Sequence, residues 1–232
     1  MRTTLITGAN RGIGLEFSKQ FATDGWRILA CCRYPEKSDA LNKLAAMYPD
    51  QITVHTLDVT NHEQINRLAQ TLASKSIDLL INNAGVYPDP MGYSFGDTDY
   101  EAWAQAFLIN TMAPLRMAEE FADHIKRGNQ KIIVTITSKM GSVADNNRGG
   151  SYIYRSSKSA VNMVVKSLAI DLKSIGITAV LIHPGWVRTD MGGPDGLIST
   201  KQSVSGMRNI ISQISLADSG KFFAYDGQII PW

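Results

Sequence analysis

Short apolar runs separated by stretches of helical periodicity, repeated along most of the chain, constrain this sequence more than any other feature. The runs are Thr4 to Thr7, Ile28 to Cys32, Ile52 to Leu57, Ile77 to Ile81, Ile132 to Ile136 and Thr178 to Ile182. Turn residues bound each of them, and none alternates strictly with polar residues, as expected of strands covered by helices on both faces. Between them, Ile13 to Thr23, Glu63 to Ala73, Asp99 to Lys126 and Ile153 to Ser174 carry a period near 3.6 residues. The β-α-β-α order predicts an α/β fold, a doubly wound parallel sheet that binds its ligand outside the carboxyl ends of the strands. Thr98 and Glu101 are spaced as a capping box, opening a helix with Tyr100, Trp103 and Phe107 on its apolar face.

The chain has 232 residues, a length that α/β sheets use as one domain, and no repeat or Pro/Ser-rich linker divides it, so residues 1–232 read as a single domain. Residues of the AVILMFWYC set make up 44% and charged residues 19%, enough apolar side chain for a core and too little charge for a disordered chain. The formal net charge is +2, without a run of five like charges, so neither nucleic acid nor a membrane surface is expected as a partner. No apolar run reaches the roughly 18 residues of a membrane span, and the opening residues leave no room for a signal peptide. Cys31 and Cys32 are adjacent, which suits buried reduced thiols better than a disulfide framework. Together with the lack of an Asn-x-Ser/Thr sequon, this points to a cytoplasmic protein.

Directly after the first run stands TGANRGIG, with glycines at Gly8, Gly12 and Gly14 before an amphipathic helix. Glycines there let the backbone turn tightly and approach a pyrophosphate, whose charge the helix N-terminus favours. The trio alone is a weak signal, and its Gly-x-x-x-Gly-x-Gly spacing differs from the commonest dinucleotide fingerprint. At the end of the second run, where an NAD site places Asp or Glu against the ribose 2′-hydroxyl, stand Cys32 and then Arg33, with Arg11 inside the glycine loop. Arginine forks onto phosphate oxygens, so a 2′-phosphate is favoured and NADP(H) is expected over NAD(H). The lesser alternative is that both arginines are solvated surface charges.

YRSSK, Tyr154 to Lys158, lies in a helical stretch, where residues four apart share a face. A cation beside a phenol favours the phenolate, which would suit Tyr154 as a general acid or base. This spacing is frequent by chance, and an exposed pair is the plainer alternative; nearby Tyr152 lacks a matching Lys. Ser138 sits at the carboxyl edge of the sheet, where its hydroxyl could steady a substrate oxygen; Ser142 is its rival. His55, His62, His124 and His183 lie too far apart to suggest a metal site, and Ser156 and Ser157 lack a Gly-x-Ser-x-Gly elbow.

Taken together, TGANRGIG, Asp58 in LDVT, NNAG at Asn82 to Gly85, Asn110, Ser138, Tyr154 with Lys158, and HPGWVRTDM from His183 to Met191 resemble the short-chain dehydrogenase/reductase family over nearly the whole chain. GSYIYRSSKSAVN, HPGWVRTDMGGP and FFAYDGQIIPW are similar to its branch of C-factor and sniffer-type carbonyl reductases. The resemblance implies a Rossmann fold of about seven strands and an NADPH-dependent oxidoreductase acting on a small carbonyl or alcohol substrate. It implies that Gly8, Asn10, Arg11, Gly12, Ile13 and Gly14 hold the pyrophosphate and ribose, Arg33 the 2′-phosphate and Asp58 the adenine edge. Asn83, Ala84 and Gly85 would line the cofactor cleft, and Pro184, Gly185, Val187 and Thr189 the nicotinamide end. Tyr154 would exchange the proton, Ser138 orient the carbonyl oxygen, Lys158 lower the phenol pKa and bind ribose, and Asn110 hold a relay water. The interval of 15 residues between Ser138 and Tyr154 lacks the insertion of the longer monomeric carbonyl reductases, so a homodimer or homotetramer through the long helices is implied. The C-factor likeness also leaves open a dinucleotide-binding regulatory or signalling protein. After Thr189, a Gly- and Ser-rich segment through Gly192, Gly193, Pro194 and Ser205 reads as a lid, and Tyr87, Met91, Tyr93, Trp186 and Met191 as candidates for an apolar substrate site.

Overall fold

The computed structural model describes residues 1–89 and 95–232, so Met91 and Tyr93 lie outside the described residues. Seven strands form one sheet: β1 (Thr3–Thr7), β2 (Arg27–Cys32), β3 (Ile52–Thr56), β4 (Leu79–Asn82), β5 (Ile132–Ile136), β6 (Thr178–His183) and β7 (Phe222–Ala224). Their order is β3-β2-β1-β4-β5-β6-β7, and every pairing is parallel. The doubly wound sheet expected from the alternating runs is thus present, with its order reversing between β1 and β4.

Helices cover both faces because alternate strand residues point to opposite sides. Leu5, Leu29, Leu80 and Ile133 share one core with α3 (His62–Thr71), α5 (Ala113–Lys126) and α6 (Tyr152–Asp171). Ile6, Ile28, Ile81 and Val134 share the other with α1 (Gly12–Thr23), α2 (Asp39–Met47) and α7 (Thr200–Gln213). Cys31 and Cys32 are free and buried in these cores, and burial pushes the Cys31 thiol far above its ordinary value.

Three sequence expectations are corrected. The stretch Asp99 to Lys126 is not one α-helix: α4 (Tyr100–Phe107) passes into a π turn, Leu108–Met112, before α5 begins. Asp99, rather than Thr98, caps α4, accepting from the Ala102 N–H at 2.9 Å, and Tyr100 is exposed instead of packed. Ser205 belongs to α7, which opens on a capping box between Ser199 and Gln202, so the irregular segment ends at residue 199. That segment is internally bonded, with Val187 bridging Ile198, Thr189 bridging Gly193 and the Trp186 indole donating to the Gly192 carbonyl at 2.7 Å. Among the described residues no helix is long and apolar enough to cross a membrane.

Candidate active site

The order reversal between β1 and β4 splays the loops that follow them and opens a crevice at the carboxyl edge. Asn83 stitches those loops together. Its Nδ2 donates to the carbonyls of Thr7 (2.9 Å) and Gly8 (3.1 Å), while Thr7 Oγ1 accepts from the N–H groups of Asn83 and Ala84, both at 3.0 Å. Gly8 has φ +66, and a side chain at Gly14 would place Cβ 2.2 Å from the Gly8 carbonyl oxygen. The glycine loop can therefore fold back on itself only with glycine at these two places. Arg11 at the N-cap of α1 makes no side-chain cap, which leaves the first-turn N–H groups free to meet an anion.

A cleft of about 870 Å³ runs from this loop toward β5 and β6. Gly8, Asn10, Arg11, Gly12 and Ile13 line one side, Arg33 and Asp58 the far end, and Asn83, Ala84 and Gly85 the floor. Tyr154, Lys158, Pro184 and Thr189 line the near end. Gly14, Gly185 and Val187 do not line it: Gly14 packs under the loop, Gly185 has φ +87 beside Ile198 and Tyr225, and Val187 is buried. Arg11 departs from its sequence reading, since its guanidinium pairs with Asp190 across the cleft instead of joining Arg33. Lys37 and Ser38, which the sequence reading missed, line the cleft near Arg33. They lie in the turn that leads into α2.

At the near end, Tyr154 (8% exposed), Ser138 (7%) and Lys158 (4%) are all buried. The bland alternative of an exposed Tyr/Lys pair is excluded, whereas Tyr152 is 39% exposed. Lys158 Nζ donates to the Ile136 carbonyl at 3.0 Å and lies 5.7 Å from the Tyr154 ring centre. Burial lowers the Lys158 ammonium to about 8. Burial likewise pushes the Tyr154 phenol up to about 12; the Ser138 hydroxyl works against this and Tyr87 adds to it. Lys158 is not among the groups that shift the phenol, so the lowering expected from the Tyr/Lys spacing is not met and desolvation dominates.

The helix α6 also holds Ser138 in place. Asn162 Oδ1 accepts from Thr137 Oγ1 at 2.7 Å and its Nδ2 donates to the Gly141 carbonyl at 3.2 Å, clamping both sides of the turn that carries the serine. The rival Ser142 instead donates to the Trp232 carbonyl at 3.2 Å. Asn110 is 1% exposed in the π turn, a distortion frequent at functional sites. Both of its amide N–H bonds are used, donating to the Val86 carbonyl at 2.9 Å and to Ser157 Oγ at 3.0 Å, while its oxygen accepts from the Val86 N–H at 2.9 Å. The Tyr87 ring packs tilted against Tyr154 with ring centres 4.6 Å apart, while Trp186 and Met191 are half exposed.

A glycine-loop cleft at a sheet reversal, leading to a buried phenol and ammonium, is the arrangement of a dinucleotide-dependent oxidoreductase. The chain belongs to the short-chain dehydrogenase family, whose family model (short chain dehydrogenase) matches residues 2–196. It is 43% identical to C-signal of Myxococcus xanthus over 71% of this chain and 98% of that protein. It is similar to the NADPH-bound carbonyl reductase from chicken fatty liver, at 31% identity and TM-score 0.92 over 100% of this chain and 94% of that one. Carbonyl reductase Sniffer of D. melanogaster superposes with TM-score 0.91 at 29% identity over 100% of both chains. The likeness to the C-factor and sniffer-type branch is borne out.

Proposed function

We propose that this chain is an NADPH-dependent carbonyl reductase, and that the residues assigned above by resemblance carry out the reaction. The observation that carries this reading is the buried Tyr154 phenol, which lines the end of the glycine-loop cleft with Lys158 Nζ 5.7 Å from its ring centre. The residues fit the cofactor: the free first-turn N–H groups of α1 would hold the pyrophosphate, Asp58 the adenine, Arg33 the 2′-phosphate, and Pro184 and Thr189 the nicotinamide end. When bound, NADPH supplies the hydride. Tyr154 gives its proton to the carbonyl oxygen, and Ser138 donates a hydrogen bond to the same oxygen. Lys158 would hold the nicotinamide ribose and place its charge beside the phenolate as it forms. Both Asn110 amide N–H bonds are committed, so Asn110 would hold a relay water through an oxygen. NADPH oxidation followed against a panel of aldehydes, ketones and dicarbonyls tests the reading; no turnover with any of them would count against it.

The two perturbed groups predict how the rate depends on pH. At neutral pH the phenol, pushed up to about 12, is protonated, and the ammonium, lowered to about 8, is charged, which is the state reduction needs. Reduction should hold through neutrality and fall as pH rises through about 8, where Lys158 loses its charge. Alcohol oxidation, which needs an ionised phenol, should climb in the alkaline range. Profiles of kcat against pH in both directions check this; parallel profiles would contradict it.

We also infer a homodimer or homotetramer. Met112 in the long helical stretch and Met163 and Ile170 on α6 are large apolar side chains left exposed, which supports association through these helices. Light scattering should give a multiple of the chain mass, and a monomer at micromolar concentration would overturn this.

A further inference from the structure

We propose that Asp89 is a positioning residue for Tyr154, capping from a distant loop the helix that carries the phenol; this rests on the reductase reading. The helix α6 lacks a local cap. Its N-cap residue Ser151 is left-handed, with φ 45 and ψ 46, and makes no side-chain cap. Gly149 (φ 64) and Gly150 (φ 62) precede it, so three successive left-handed residues lead into the helix. A serine in that region is strained, and such strain persists only where the surroundings hold it. First-turn N–H groups without a partner would also be costly once buried.

Asp89 meets both needs. It arrives from the loop after β4, is 5% exposed, and accepts from the Ile153 N–H on Oδ1 at 3.2 Å and from the Tyr154 N–H on Oδ2 at 2.8 Å. Among the described residues it has no ion-pair partner, so the two N–H groups and the positive end of α6 are what compensate its burial. The same loop is fixed just before this contact. Asn110 holds both backbone groups of Val86, and the Tyr87 hydroxyl bonds Ser151 Oγ at 2.8 Å. The position of Tyr154 is thus set by a carboxylate 65 residues earlier in the chain, through a loop anchored at the π turn.

The test compares Asp89→Ala and Asp89→Asn with the wild type in the full chain. Asn keeps the shape but turns an amide donor toward a backbone donor, so it should restore part of what Ala loses. A misplacement near 1 Å can cost about 10²-fold, so kcat for carbonyl reduction should fall by roughly 10-fold to 100-fold in Asp89→Ala and less in Asp89→Asn. NADPH affinity and substrate KM should stay within about twofold, a split that a general loss of structure would not give. Independently of activity, amide hydrogen exchange in residues 151–158 should quicken in both variants, with the rest of the chain unchanged. Unchanged exchange there would overturn the cap, and fast exchange with wild-type kcat would overturn the positioning role. Exchange quickened throughout the chain, in Asn as well as Ala, would make Asp89 a residue of the fold and overturn the proposal. If the wild type itself reduces no carbonyl, the reductase reading fails, and the exchange result still decides the cap.

Discussion

Tyr154→Phe is expected to lower kcat for carbonyl reduction by about 10³-fold, the middle of the range for removing a general acid, while NADPH affinity stays within about twofold. The substitution keeps the ring, its burial and its packing against Tyr87, and removes only the hydroxyl. A 10³-fold loss corresponds to about 4 kcal/mol of transition-state stabilisation. Folding should not suffer, because the phenol is buried at a desolvation cost that Phe does not incur. NADPH oxidation and NADPH fluorescence titration on both proteins check the two halves of this expectation. Retained turnover would remove Tyr154 as the proton donor. A regulatory activity that survives the change would instead show that cofactor binding without catalysis is the function, the alternative that the likeness to C-signal keeps in view.

What the sequence made legible follows from where its constraints are local. Glycines at Gly8 and Gly14 are dictated by their own backbone, one by φ +66 and the other by a 2.2 Å approach, so the loop could be read without a partner. The buried strands announce themselves as apolar runs, and six of the seven were visible that way. The seventh, Phe222–Ala224, has only three residues and came from the resemblance alone. Features set by contacts between distant segments were not legible. The π turn in the middle of Asp99 to Lys126 leaves no mark in the hydrophobic period, yet it places Asn110 against Val86. Ser138 and Ser142 are equivalent as residues and are separated only by the Trp232 carbonyl that occupies the latter. Asp89 could not be found either, since an acidic residue in a loop means nothing until the uncapped helix start is seen beside it. The direction of the phenol pKa shift was not legible for a related reason: the Tyr/Lys spacing shows a nearby cation, whereas burial is a property of the assembled site.

Arg33→Ala should weaken NADPH binding by about 10-fold to 100-fold, or about 1.4 to 2.8 kcal/mol, and leave NADH binding within about twofold. Arg33 follows the last residue of β2, where an NAD-type site would carry an acid, and it is exposed at the far end of the cleft. Among the described residues it has no carboxylate partner, and its guanidinium lies 5.8 Å over the Tyr34 ring. Lys37 lies over the same ring at 5.3 Å, so two cations flank Tyr34, and the lysine should retain part of the phosphate affinity in the variant. Arg11 is paired with Asp190 across the cleft, so more of the discrimination falls on Arg33. Because the cations are exposed, the preference for NADPH should narrow as salt rises, the ionic screening length falling from about 10 Å at 0.1 M to about 3 Å at 1 M. Titrations of both cofactors at two salt concentrations separate the possibilities. An equal loss for NADPH and NADH would mean that Arg33 only shapes the adenosine end of the cleft, and the 2′-phosphate would then have to be assigned to Lys37 or to a released Arg11.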